Sequence, residues 1–301
     1  MPDNKELVLV SCSGGFDSSV TLAMLRFAGY QNIIAVHFNY GHRGQDAERI
    51  AITNVCKYLN VPLRIFDLSG IYREMNPVSM LLDNKAKITT GTSVGLKQLD
   101  AWVPGRNMLF LSIMVILAES ETMKHDYSNI YLLGGFLQLS ESGSYPDNSE
   151  YFLMTALEHY KYGTLIGQRI NPLFGLSNLM KSDQYELIKQ FDLFELYKHT
   201  ISCDRPIVDK DGTPRNCMNK DGIPACGSGL LSYFAGQMVG IDDTKVRQFY
   251  VVDDDQHLHQ PEHLKNHQQL NKDINQIINR IKFPEERLEI LRRYLWEKKK
   301  A

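Results

Sequence analysis

Ser11–Val20 reads SCSGGFDSSV, with serines at 11, 13, 18 and 19 and one acid, Asp17, around two adjacent glycines. Gly14 and Gly15 permit positive φ and let a ligand approach the backbone closely. The helix-like run that follows adds unpaired N–H groups and a positive dipole end, and both favour an anion. Ser13, Ser18 and Ser19 can add hydroxyl donors to phosphate oxygens, and Asp17 can bind Mg²⁺ carried by that phosphate. Ser11, Ser13, Gly14, Gly15, Phe16, Asp17, Ser18 and Ser19 thus form a candidate phosphate cradle. The spacing and the missing lysine exclude the GxxxxGK[ST] loop. The plainer alternative is a helix N-cap turn rich in Ser and Gly.

The elements around the loop suit that task. ELVLV (Glu6–Val10) is a short apolar run that reads as a fully buried strand, and SSVTLAMLRFAG is a helix ending at Gly29. NIIAVHFNYG reads as a second strand, QDAERIAITNVCKYLN as an amphipathic helix and PLRIFDL as a third strand. This alternation predicts a parallel sheet with helices on both faces. Residues 72–101 lose periodicity and read as a long polar connection with some helical fragments, which implies a lid, a binding loop or disorder. NMLFLSIMVILAESE reads as a buried helix, NIYLLGG as a fourth strand, NSEYFLMTALEHYKYG as a helix, QRINPL as a further strand and KSDQYELIKQF as a helix. DRPIVDKDGTPRNCMNKDGIPACGSG, dense in Gly, Pro, Asp and Lys, reads as irregular. INQIINRIKF and PEERLEILRRYLWEKKK are amphipathic helices, the second started by Pro284.

The loop resembles the SGGxDS loop of the ATP-pyrophosphatase superfamily, whose members cleave ATP between the α and β phosphates and transfer AMP. Later stretches narrow the resemblance. FNYGHRGQDAE (Phe38–Glu48) is similar to a DYGQRH…E signature, and VPGRNMLFLS (Val103–Ser112) to a VPGRN-plus-helix signature. GSYPDNSEYF (Gly143–Phe152), Lys181 after Pro172–Leu173, TISC (Thr200–Cys203) and CGSGLLSYFAGQMVGIDDTKV follow in order. Together, over roughly residues 6–246, the chain resembles the 7-cyano-7-deazaguanine synthases.

That resemblance implies a PP-loop α/β fold and an ATP-dependent C–N ligase that forms an acyl-adenylate. The family adenylates the carboxylate of 7-carboxy-7-deazaguanine, traps it with ammonia as an amide, and dehydrates the amide to a nitrile with a second ATP. Such chemistry needs anion binding and positioning more than covalent catalysis. Arg106 and Lys181 are then the cations for the phosphates, the first as a planar fork, the second as a point charge. Together with Asp17 they form the candidate catalytic set, and a surface salt bridge is the plainer role of each cation. Pro104 and Gly105 set the turn that presents Arg106 and Asn107. Tyr40 and Arg43 lie past the end of the second strand, where open parallel sheets bind ligands. Asp147, after Tyr145 and Pro146, could accept from a guanine-like edge. Tyr40, Arg43, Asn107, Tyr145 and Asp147 are the candidate substrate residues.

Several positions depart from the family pattern. Its four-cysteine zinc site has Cys203 and Cys226 here, but Gly229 and Ser232 stand at the next two places, and Cys217 could substitute for one of them. Cys203, Cys217 and Cys226 are therefore a candidate zinc set, against the alternative that packing has replaced the metal. Asn39, His42, Gly44, Asn148 and Ser149 also differ from the family residues. Cys12 and Cys56 read as small buried hydrophobes. His259, His263 and His267 have helical spacing, but a polar helix or linker is the simpler reading.

The 301 residues divide into a PP-loop α/β domain at 1–200, a Cys-containing segment at 201–250 related to the family's zinc region, and a helical extension at 251–301. A net charge of −2 argues against a nucleic-acid partner. The longest apolar run, MLFLSIMVILA, has eleven residues against the roughly 20 that a membrane span needs. A polar amino terminus and five cysteines point to the cytoplasm. ATP, Mg²⁺ and a deazaguanine-type small molecule are the expected ligands, and homodimerisation is open. Two other functions stay open: a paralogue in phage defence or nucleic-acid modification that couples the adenylated deazaguanine to another acceptor, such as a protein amine, and a nucleotide-binding subunit without turnover.

Overall fold

The structure, a computed structural model, describes residues 5–83, 102–134, 147, 149–252 and 273–300. Tyr145 and the three histidines 259, 263 and 267 lie outside these residues, as does 84–101 of the long connection.

Five parallel strands form the main sheet in the order β3-β2-β1-β4-β5: β1 (Glu6–Ser11), β2 (Asn32–Asn39), β3 (Leu63–Asp67), β4 (Asn129–Gly134) and β5 (Ile170–Pro172). Central β1 is buried at all six residues, because helices cover both faces of a parallel sheet. Its period of two splits the core. Leu7 and Leu9 join Val36, Phe38, Phe110 and Met114 on one face, while Val8 and Val10 join Phe16, Val20 and Ile52 on the other. Edge strand β3 carries the solvent-facing Ile65, 44% exposed.

The first face is covered by α4 (Arg106–His125) and α5 (Glu150–Gly163), the second by α1 (Phe16–Phe27), α2 (Gln45–Leu59), α6 (Lys181–Gln190) and α7 (Phe194–Lys198). A short helix, α3 (Ser69–Met75), opens the connection after β3.

The stretch read as irregular is more ordered than its composition implies. Ile207–Val208 (β6) pairs antiparallel with Pro214–Met218 (β7), which pairs in parallel with Phe249–Val251 (β8). Its Gly, Asp and Lys residues are spent on tight turns, in which Asp209 N–H donates to Thr213 O and Asn219 N–H to Ile223 O. The helices α8 (Gly227–Met238) and α9 (Asp243–Val246) lie between β7 and β8 in the chain.

The final helices, α10 (Ile274–Arg280) and α11 (Glu285–Lys300), place Ile274, Ile277, Ile278, Leu288, Leu291 and Leu295 in the same core as α1 and α6. Arg287 of α11 is buried in an ion pair with Glu6, lies 4.1 Å over the Tyr30 ring and donates to Gly29 O at 3.0 Å.

Candidate functional site

The strand order reverses direction between β1 and β4, and open α/β sheets bind ligands beyond the carboxyl ends of strands at such a point. A cavity of about 320 Å³ lies there, with the 11–18 loop as its floor.

The loop is built around Gly14, with φ of 80°. A Cβ at this position would stand 2.7 Å from Ile52 N and 2.8 Å from Glu48 O, so only glycine lets α2 pack on the loop. Ser13 Oγ accepts from Gly15 N–H at 3.1 Å, and Ser18 and Ser19 hydroxyls donate to Gly15 O at 3.2 and 2.8 Å. The 200–203 segment straps the loop from the far side. Ile201 N–H donates to Gly14 O, and Phe16 N–H donates to Ser202 Oγ at 3.3 Å.

Lys181, the first residue of α6 and only 6% exposed, reaches the start of α1, where its Nζ donates to Asp17 Oδ2 at 2.9 Å. Asp17 Oδ1 is buried without a hydrogen-bond partner. A carboxylate oxygen left open beside a helix start suits a hard divalent cation such as Mg²⁺. A lysine beside it suits a phosphate.

The opposite wall comes from α4 and the end of β2. Gly105 stands at φ of 66° before α4 and turns the chain so that Arg106 enters the cavity. Arg106 Nε donates to Asn107 Oδ1 at 3.2 Å, and Nη1 to Tyr40 Oη at 3.5 Å. Burial opposes the guanidinium charge, but Tyr40, Asp147 and Glu48 outweigh it and keep the group cationic. Asn107 Nδ2 donates to Asp147 O at 3.3 Å. Burial raises the Asp147 carboxyl above its ordinary value, with Arg106 partly offsetting it. His42 stacks on Tyr40, ring centroids 4.2 Å apart, and its Nε2 is 3.1 Å from Glu48 Oε2. Burial pushes the neighbouring His37 down, so that its ring is held neutral; its Nδ1 lies 2.8 Å from Cys12 O.

At the cavity's edge, Cys203, Cys217 and Cys226 converge. Their sulfurs lie within 4.8 Å of one another, with Cys203–Cys217 at 3.4 Å and Cys203–Cys226 at 3.7 Å. Tetrahedral zinc with Zn–S bonds of about 2.3 Å separates its sulfurs by about 3.8 Å, so the triad is compatible with that metal. Hydrogen bonds from Cys203 and Cys226, aided by Arg205, push the Cys217 thiol well down. Gly229 and Ser232 sit on α8, and a Cβ at Gly229 would stand 3.2 Å from Cys226 Sγ.

Of the residues singled out in the sequence, Ser11, Ser13, Gly15, Phe16, Asp17, Ser18, Tyr40, Arg43, Arg106, Asn107, Lys181 and Cys203 line one cavity. Gly14 and Gly105 act from behind it through their backbone, and Ser19 is fully buried. Phe16 is held by stacking on Tyr185 at 4.4 Å. His37, Glu48, Ser202, Asp204 and Ser228 also line the cavity and were not assigned there from sequence. Glu48 closes the FNYGHRGQDAE stretch, the one signal that could have marked it.

Fold and loop together define a PP-loop α/β protein of the ATP-pyrophosphatase type. Residues 7–222 match the family described as queuosine biosynthesis protein QueC, and the chain belongs to that family. Among its relatives, a 7-cyano-7-deazaguanine synthase of Sulfolobus acidocaldarius is 29% identical over 191 residues, 63% of this chain and 39% of the relative. One from Nitratiruptor sp. is 34% identical over 180 residues, covering 60% of this chain and 76% of the relative. The chain thus spans about two fifths of the length of the archaeal relatives it matches. An NH3-dependent NAD synthetase from Campylobacter jejuni superposes partially, at 20% identity over 63% of this chain and 65% of that one, with a TM-score of 0.33. No helix among the described residues is long and apolar enough to cross a membrane.

Proposed function

We propose that the protein is an ATP-dependent ligase that joins AMP to the carboxylate of a 7-deazaguanine acid, releases pyrophosphate, and presents the acyl-adenylate to an amine, with ammonia giving an amide or nitrile. The observation that carries this reading is the shared cavity. Loop 11–18, the Asp17–Lys181 pair and Arg106 meet around one space at the sheet's switch point.

The chain's own groups divide the work. The loop and the start of α1 cradle the phosphates through backbone N–H groups, and Lys181 supplies the positive charge that faces a phosphate oxygen. Arg106, steadied by Tyr40 and Asn107, neutralises charge that develops on the opposite wall. Asp17, through its unpartnered Oδ1, would hold Mg²⁺, which supplies charge neutralisation for the departing pyrophosphate. Phe38, Tyr40 and Phe110 give the cavity a rigid aromatic lining beside which a flat heterocycle would lie, with Phe38 and Phe110 stacked on each other at 4.1 Å. Cys203, Cys217 and Cys226 would hold Zn²⁺ as a structural clamp between β7, α8 and the strap over the loop.

Incubation with 7-carboxy-7-deazaguanine, ATP and ammonia, read by mass spectrometry and pyrophosphate release, tests the reading. Amide or nitrile is expected, and Asp17→Asn should abolish pyrophosphate release. Absence of both product and acid-dependent release in the wild type would sink it.

A further inference from the structure

Three acids line the cavity among the described residues, each beside a different partner. Asp17 receives Lys181, while Asp204 receives the Ser228 hydroxyl at 2.5 Å and the Ser228 N–H at 3.2 Å. The third, Glu48, faces an imidazole, with His42 Nε2 3.1 Å from its Oε2. His42 is 4% exposed, is fixed face-on against Tyr40, and has a buried Nδ1 without a hydrogen-bond partner. Glu48 also stands on the turn of α2 whose backbone packs on Gly14, and it lines the same cavity as the 11–18 loop.

We propose that Glu48 takes the proton of the amine that attacks the activated carboxyl, with His42 as its positioning residue. This rests on the acyl-adenylate reading above. The amine lone pair forms the C–N bond, and the bond from the carbonyl carbon to the AMP oxygen breaks, AMP leaving with the electron pair. The proton shed by nitrogen passes to Glu48 Oε and then to solvent. A carboxylate is a strong enough base, because nitrogen bonded to the carbonyl carbon as an ammonium is far more acidic than free ammonium. His42, with His37 from β2, Tyr40 just beyond it and Arg106 from α4 as other titratable or charged groups near Glu48, offsets the burial that would otherwise protonate it.

The test separates the two half-reactions in the full chain, using 7-carboxy-7-deazaguanine. Acid-dependent ATP–pyrophosphate exchange reports activation, and amide formation from ammonia reports capture. In Glu48→Gln, capture should fall by about 10²-fold more than exchange, the usual size of a general-base contribution. Hydroxylamine, a strong nucleophile of low basicity, should close most of that gap. In His42→Gln, the acid limb of capture should move to higher pH, a shift that loss of packing alone would not produce. Equal losses in exchange and capture for Glu48→Gln overturn the proposal. Absence of exchange in the wild type overturns the acyl-adenylate reading instead, and the proposal with it.

Discussion

Replacing Gly14 with alanine asks whether the loop and α2 are as tightly joined as their geometry implies. Two costs add. A residue with a Cβ held at φ of 80° costs about 1–2 kcal/mol. The methyl would also meet backbone, 2.7 Å from Ile52 N and 2.8 Å from Glu48 O, besides Ala51 Cβ at 2.9 Å. Backbone in a packed helix cannot yield as a side chain can, and such overpacking costs about 1–3 kcal/mol. The sum is about 2–5 kcal/mol, a large part of a domain's net stability of about 5–15 kcal/mol. Gly105→Ala is the internal control. Its φ is 66°, but nothing lies within 4 Å of the added Cβ, so only the conformational cost of about 1–2 kcal/mol applies. Urea unfolding at matched slope gives both values. Equal destabilisation by the two substitutions would refute the contact between loop and helix, and with it the placement of Glu48.

Three other outcomes follow from the same geometry. Cys217→Ser should abolish zinc retention, measured by metal analysis of purified protein, and lower the Tm; wild-type protein that binds no zinc would show that packing serves instead. Glu48 sits below its ordinary carboxyl value in the fold, so it binds fewer protons folded than unfolded, and its stabilising share is whole above the unfolded value of about 4.3 and lost as pH falls through the lower folded one. The stability gap between wild type and Glu48→Gln should therefore shrink as pH falls below about 4.3 in urea titrations. Asp243→Asn leaves Arg247, buried against it and against the Tyr197 ring, without its counter-charge, and should cost about 3–5 kcal/mol in the same assay.

Much of the main domain was legible because its signals are local. The runs at 6–10, 32–39 and 129–134 are apolar enough to be strands covered on both faces, and the SGG turn marks where the first meets a helix. The hairpin of β6 and β7 was missed because two short strands separated by tight turns carry little hydrophobic periodicity. Glu48 and His42 were seen as parts of a signature but not as a pair. One lies on a loop and the other on the first turn of α2, and only the chain reversal at Gly44 brings them to 3.1 Å.

The sequence alone determined the chain order of the five strands of the main sheet and marked the 11–19 stretch as a candidate anion cradle, since both depend on residue types within a few positions of each other. It also placed Asp17, Arg106 and Lys181 among the candidates for chemistry. That Lys181 would close onto Asp17 from 164 positions away was decided by tertiary structure, as were the meeting of three cysteines from three segments and the packing of α2 on Gly14. These are consequences of how covered sheets stack their helices: distant segments bury their apolar faces in a shared core over the sheet, and the polar ends they carry are then brought to its carboxyl edge.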